Sequence, residues 1–226
     1  MMNERVVVVN AGKMNYDHLL DFSVLSNDVQ VYDDSTNAEL IERIQGATVV
    51  VTKEIPVGPE LLSQFPESVK LIVEAGTGYN NIDLDAARAK GITVCNIPAY
   101  STERVAHTAI MMLLNFASTM QQQIGMLARG DRSNFTKHLQ VPHTEVNGKT
   151  LGIIGAGHIG MAVVKVARAL DMNILIHTRT PKEDSEGIRY VSLDELLAQS
   201  DYISLHCPLN DKTKHLINKD TIAKMK

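Results

Sequence analysis

Short runs of β-branched and other apolar residues recur along this chain, and each is followed by a stretch with helical periodicity. RVVVVN at 5–10, TVVVT at 48–52, VKLIVEAG at 69–76 and ITVCNIP at 92–98 are such runs, without the polar alternation of a half-exposed strand. A strand covered on both faces reads this way, because water reaches neither side of it. Between the runs lie NAELIERIQG at 37–46, PELLSQF at 59–65 and LDAARAKG at 84–91, the last closed by Lys-Gly, a helix stop. The second half keeps the rhythm, with strands expected at 150–155, 173–177 and 202–206 and helices at 158–171, 192–200 and 218–226. Strands alternating with helices predict an α/β chain of βαβ units in doubly wound parallel sheets.

A length of 226 residues suits one large or two modest domains, and 44% apolar with 21% charged residues is enough to bury a core. The net charge of −4 argues against a basic nucleic-acid surface. No apolar run approaches the roughly 20 residues that span a bilayer, so no membrane partner is expected. The opening MMNERVVVVN is too short for a signal-peptide core, and a cytoplasmic setting is expected. Cys95 and Cys207 lack metal-ligand spacing and read as reduced thiols; no metal site is expected.

From Ser101, S-T-E-R offers a helix start, and apolar residues continue for about five turns. The run Met111, Met112, Leu113, Leu114 suits helix core, with a Met-rich binding surface as the alternative. GDRSNFTKHLQVPHTEVNGK at 130–149 is polar and reads as a connecting loop.

Leu151 to Gly160 read LGIIGAGHIG. A G-x-G-x-x-G string alone is weak evidence, but here it leaves an apolar strand, opens a helix and precedes a further strand. Gly155 permits the tight turn, Gly157 lets the backbone approach a pyrophosphate, and Gly160 lets the helix pack on the sheet. His158 and Ile159 lie in the first helical turn, whose free N–H groups and positive dipole end suit phosphate. A dinucleotide loop is therefore expected. The second strand of such a unit usually ends in an acid that binds the adenosine ribose. Here it ends His177-Thr178-Arg179-Thr180, with no carboxylate until Glu183. Thr178 does not repel a 2′-phosphate, and Arg179 can pair with one, which favours NADP(H), with NAD(H) the alternative.

The segments EAGTGYNNIDLDAARAKGITVCNIPAYSTERVAHTA, GKTLGIIGAGHIG and SDYISLHCPLNDKTKHLINKDTIAKMK resemble, in order, those of the D-isomer-specific 2-hydroxyacid dehydrogenases. The likeness runs over nearly the whole chain. Within the family, NNIDLDAARAKGITVCNIPAYST is most similar to glycerate dehydrogenases and hydroxypyruvate reductases. The resemblance implies two Rossmann- or flavodoxin-like domains, 1–100 binding substrate and 101–226 binding nucleotide, with the active site between them and hinges near 98–101. It implies reduction of a small 2-keto acid, such as hydroxypyruvate or glyoxylate, to the D-2-hydroxy acid. It also implies a homodimer through the nucleotide-binding domain, with 101–149 in the contact.

By the same resemblance, Gly76, Thr77 and Gly78 hold the substrate carboxylate and Tyr100 borders the substrate. A Gly-x-Gly loop after a strand also suits an anion-binding nest on physical grounds. Thr108, Cys207, Pro208 and Thr213 join the glycine loop and the 178–180 segment at the cofactor. His206 reads as structural; Lys53, at the end of a strand facing the expected cleft, reads as a solvated lysine, with contact to an anionic substrate as the alternative; and Tyr100 has packing as its plainer role. His107 stands where the family usually has Glu or Gln, and is expected to be a buried, hydrogen-bonded histidine.

Hydride transfer to a 2-keto acid needs a cation on the carbonyl and carboxylate, a proton donor, and a carboxylate that orients the donor. The family's Arg, Glu and His for these roles are expected beyond Lys226, so no catalytic residue is assigned within the chain. The chain reads as lacking its C-terminal catalytic third, the nucleotide-binding domain incomplete, and these residues alone are expected to be inactive. Two alternatives remain: a phosphoglycerate dehydrogenase-type enzyme, and a non-catalytic dinucleotide-sensing or protein-binding module.

Overall fold

Arg5–Val8 forms β1, and its three valines are buried, as an unalternating run requires. The computed structural model describes residues 4–226; the Met1–Met2 pair lies outside the described residues. After β1 come β2 (Asp28–Val31), α1 (Asn37–Arg43), β3 (Val49–Thr52), α2 (Pro59–Ser63), β4 (Leu71–Glu74), α3 (Leu84–Ala89) and β5 (Thr93–Asn96). They build a compact unit ending at Tyr100, whose strands are all parallel in the order β2-β1-β3-β4-β5. Successive β1 residues feed opposite faces. Val7 and Val9 pack with Leu40, Ile44, Leu62 and Ala87 of the helices, while Val6 and Val8 pack with Ala11, Met14 and Phe22. The first face is thus covered by α1, α2 and α3, and the second by the segment after β1, through two short 3-10 turns at Ala11–Lys13 and Phe22–Val24 rather than an α-helix.

Local chemistry sets the helix starts. Thr36 and Glu39 form a capping box before α1, Pro59 opens α2, and Asp83 accepts the Ala86 N–H to start α3.

The second unit runs from Ser101 to Lys226. Its elements are α4 (Thr102–Ala117), α5 (Met120–Ala128), α6 (Ser133–Thr136), β6 (Thr150–Ile154), α7 (His158–Ala169), β7 (Asn173–His177), β8 (Ile188–Tyr190), α8 (Leu193–Gln199), β9 (Tyr202–Leu205) and α9 (Lys219–Ile222). The sheet is parallel in the order β8-β7-β6-β9. Helices α4 and α7 cover one face through Ala106, Ile110, Val163, Val164 and Ala167, and α8 covers the other through Leu196.

Several expectations are corrected. The apolar run from Ser101 is not one helix: it breaks at Ser118–Thr119, where Thr119 takes a left-handed φ of 51°. The Ser118 hydroxyl donates back to the Leu114 carbonyl, and the Thr119 hydroxyl to Pro142 on the returning loop. These contacts hold a β-branched residue in a conformation that it rarely adopts. The methionines do not enter the core, with Met111 at 60% and Met112 at 53% exposure, while Leu113 beside them is buried. The 130–149 loop contains α6, and the last helix spans only α9. Strands β2 and β8 escape the apolar-run criterion, although the other two edge strands, β5 and β9, do not. In β2 only Val29 is even half-buried, and β8 spans three residues, which leaves too little pattern to read.

Ile153 sits at the centre of the second core, fully buried. Ile153→Ala is expected to lower the unfolding free energy by about 2–5 kcal/mol, measured by urea denaturation.

Candidate functional site

The glycine loop joins β6 to α7, and steric arithmetic explains its residues. Gly155 has φ +102°, and a Cβ there would lie 2.6 Å from the Cys207 nitrogen and 2.8 Å from the His206 carbonyl carbon. A Cβ on Gly160 would lie 2.1 Å from the Gly155 oxygen, whereas one on Gly157 would meet nothing within 4 Å. Gly155 and Gly160 therefore let main chain meet main chain, and Gly157 leaves open space beside the turn. No side chain caps α7, so the first-turn N–H groups of His158, Ile159 and Gly160 are left for solvent or an anion. His158 is exposed and Ile159 half-buried. These residues fit a pyrophosphate.

Adjacent strands β6 and β9 leave this end of the sheet in different directions, the switch point where parallel sheets hold nucleotides. The His206 N–H donates to Ile154 at 2.8 Å and the Gly155 N–H to His177 at 2.9 Å, which draws the three strand ends together. His177 reaches Val191 O through Nδ1 at 3.2 Å. Beyond it Thr178 is half-buried, while Arg179 and Thr180 are exposed. Among the described residues Arg179 has no ion pair or hydrogen-bond partner for its guanidinium. Cys207 is half-buried and packs against the Ile154–Leu196 cluster, with exposed Pro208 following it. The Thr213 hydroxyl donates to the Pro208 carbonyl and accepts the Asn210 N–H at 2.9 Å, bracing this turn. Thr108 is exposed on α4, its hydroxyl donating to Arg104 O at 2.9 Å. The His206 ring lies 2.9 Å from the Ser204 hydroxyl, and burial holds its pKa below the ordinary histidine value.

The first unit carries a second arrangement, at the C-terminal ends of β3, β4 and β5. Gly76 is buried, its carbonyl accepts the Ile97 N–H at 3.0 Å, and Thr77 O accepts from Asn96 Nδ2 at 2.8 Å. The Thr77 hydroxyl donates to Ile97 O at 3.2 Å. The loop is thus bolted to β5, while the Gly76 and Gly78 N–H groups donate to no acceptor among the described residues. A buried amide in that state suits an anion. Glu74 is fully buried, its Oε1 accepting the Glu54 N–H and its Oε2 the Asn81 side chain, both at 2.9 Å.

Two histidine and lysine expectations are corrected here. Lys53 is not a solvated lysine. Its side chain is 17% exposed, and its Nζ donates to Ala75 O and to the Tyr100 hydroxyl, both at 3.2 Å. Tyr100 is exposed, with its ring 5.7 Å from that Nζ, rather than packed away. His107 is not buried: it is 68% exposed on α4, and Glu103 is 3.9 Å away, one turn earlier. The turn before it faces outward because Ala106 and Ile110 take the inward positions.

Three residues of these arrangements went unread in the sequence. Asn10 is buried and clamps the Lys53 backbone, Oδ1 accepting its N–H at 2.9 Å and Nδ2 donating to its carbonyl at 2.5 Å. Glu74 was hidden inside an apolar strand. Gly152 lies within β6, where a Cβ would meet Ser200 Oγ at 2.3 Å and Leu196 Cδ2 at 2.6 Å, so α8 seats directly on the strand. A buried Asn just past one strand and a Gly inside another were the available signals. No group of three or more His, Cys, Asp or Glu among the described residues could hold a metal.

Residues 110–226 match the family described as D-isomer specific 2-hydroxyacid dehydrogenase, NAD binding domain. The hydroxypyruvate reductase of Blautia hydrogenotrophica is 40% identical over 192 residues, 83% of this chain and 59% of that protein. The chain therefore spans about three fifths of this curated relative. A glyoxylate reductase structure from Paecilomyes thermophila superposes with a TM-score of 0.84 at 31% identity, covering 100% of this chain and 71% of that one. A D-lactate dehydrogenase from Aquifex aeolicus, complexed with NAD and lactic acid, gives 0.87 at 31% identity, covering 98% and 66%.

Gly155→Ala and Gly160→Ala are expected to lower the melting temperature and abolish dinucleotide binding, because each added methyl meets backbone. Gly157→Ala is expected to melt like the parent, and circular dichroism with cofactor titration separates the three. The His206 imidazole, held below its ordinary pKa, binds fewer protons folded than unfolded, so it withdraws stability as pH falls through the histidine range. Between about pH 7.5 and 5.5 the parent should lose more melting temperature than His206→Gln; parallel curves would refute the assignment.

Proposed function

Because the chain belongs to the D-isomer-specific 2-hydroxyacid dehydrogenase family, we propose that the protein reduces a small 2-keto acid of the hydroxypyruvate or glyoxylate kind to the D-2-hydroxy acid, using NADP(H). The observation that carries this reading is the buried, unpartnered amide of Gly76 in a loop that the rest of the unit holds rigid. Such an amide has an N–H to give an acceptor, and a carboxylate oxygen is one. Relatives named hydroxypyruvate reductase and glyoxylate reductase support the substrate class.

In this reading Gly76, Thr77 and Gly78 orient the carboxylate and Tyr100 borders the substrate. The N–H groups at His158, Ile159 and Gly160 hold the pyrophosphate, with Gly155 and Gly157 shaping the loop and Cys207, Pro208, Thr213 and Thr108 lining the remainder. Bound nicotinamide supplies a hydride, two electrons and a proton's nucleus, to the keto carbon. The residues of this chain place the cofactor and the acid; proton delivery to the new hydroxyl is not assigned to any of them.

The preference for NADP(H) rests on Thr178 and Arg179. A guanidinium with no partner among the described residues at the end of β7 suits a 2′-phosphate, and the strand end has no carboxylate to accept the ribose hydroxyls that NAD(H) would offer. We read the protein as a homodimer through its nucleotide-binding unit. Its support is the exposed apolar surface of α4 and α5 (Met111, Met112, Phe116, Met120 and Ile124) beside a cavity of about 610 Å³ lined by Ile110, Leu114 and Val166. Among the described residues no helix is long and apolar enough to cross a membrane.

Steady-state assay of the full-length protein with hydroxypyruvate and glyoxylate tests the reading. NADPH is expected to exceed NADH in kcat/KM by about tenfold or more, and Arg179→Ser to erase that ratio. Equal or better use of NADH would overturn the cofactor preference. Dinucleotide binding without turnover of any 2-keto acid would point instead to a sensing module.

A further inference from the structure

Resting on the reading that the Gly76–Gly78 loop holds a substrate carboxylate, we propose that Lys53 is a second anchor for that carboxylate, held beside the loop by Asn10 and aimed by Tyr100. In the order β2-β1-β3-β4-β5, strands β1 and β3 are the neighbours whose connections depart to opposite sides. Ligands of parallel sheets bind at the carboxyl ends of such a pair. Lys53 directly follows β3, and Asn10 stands two residues after β1.

The Lys53 backbone is fixed at both of its polar groups by the buried Asn10 amide, at 2.9 and 2.5 Å. The next residue, Glu54, has a left-handed φ of 58° and gives its N–H to the buried Glu74 carboxyl. A turn so constrained does not merely link β3 to α2; it presents one side chain in a set direction.

That side chain crosses toward the loop. A Cβ on Gly76 would lie 3.6 Å from Lys53 Nζ and 3.1 Å from Glu74 Oε1, so the ammonium and the buried carboxyl both border the bare Gly76 backbone. An anion that reaches the Gly76 backbone from that side meets the ammonium. Its one acidic neighbour within ion-pair distance is Glu54 at 3.8 Å, whose side chain is mostly exposed, and a pair of that kind is weak. Of the three ammonium donors two are used, on Ala75 O and the Tyr100 hydroxyl. The third remains, and the Tyr100 hydroxyl, accepting from lysine, keeps its own proton to give. These two donors fit a carboxylate, while each oxygen of the neighbouring Glu74 carboxyl already accepts a hydrogen bond, from the Glu54 N–H and the Asn81 side chain.

The test uses full-length protein with glyoxylate as substrate and oxamate, which keeps the carboxylate but has a carbonyl that is not reduced, as a calorimetric probe. Lys53→Met is expected to raise the glyoxylate KM and the oxamate Kd about tenfold each, with kcat and the NADPH KM within about threefold of the parent. Lys53→Arg should restore most of the loss, and Tyr100→Phe, which frees the ammonium but keeps its charge, should cost about threefold in the same two constants. The last two variants decide the matter should Lys53→Met melt early. Unchanged KM and oxamate affinity in an active Lys53→Met enzyme would overturn the Lys53 anchor and leave the functional reading standing. A parent protein inert toward every 2-keto acid would overturn the functional reading, and this inference with it.

Discussion

At the end of β6 the main chain passes within van der Waals reach of the loop that leaves β9, and the second unit is arranged around that approach. A single methyl at Gly155 would fall inside the contact distance of the Cys207 nitrogen, and one at Gly160 inside that of the Gly155 oxygen. With side chains removed from both places, α7 starts directly on the turn, and among the described residues no side chain caps its first N–H groups. The same economy recurs at Gly152, where α8 rests on the middle of β6. Glycine is costly inside a strand, by roughly 0.5–1 kcal/mol relative to alanine, and the close seating of α8 offsets that cost.

The first unit solves a similar problem with polar groups. Its strand ends are held by side chains that reach across the sheet: Asn10 to the β3 turn, Glu74 to the same turn and to Asn81, Asn96 to the Gly76–Gly78 loop. Every one of these bonds satisfies a main-chain or amide group that would otherwise be buried without a partner. Among the described residues they leave the Gly76 and Gly78 N–H groups without an acceptor.

Apolar continuity was legible wherever a strand is buried on both sides, as in β1, β3, β6 and β7. It missed β2 and β8, since in DVQV only Val29 is even half-buried and IRY spans three residues. The helix pattern after Ser101 was legible as a helix but not as two, because nothing in AST announces a left-handed threonine; contacts from the loop at 142–144 impose it. The same helix misled on burial. Met111 and Met112 have the composition of core, yet Ala106, Ile110 and Leu113 occupy the inward stripe, and His107 shares the outward one.

Periodicity and glycine placement by themselves determined the βαβ rhythm, the two parallel sheets and the position of the dinucleotide loop, because backbone sterics and burial act on neighbours in sequence. Tertiary structure alone decided which groups at the strand ends remain free. Lys53 read in the sequence as a solvated lysine before a substrate contact, until Asn10, 43 residues earlier, fixed its backbone and Tyr100, 47 residues later, met its tip. Hydrogen bonds between residues so far apart in sequence leave no local period, so only the folded chain shows them.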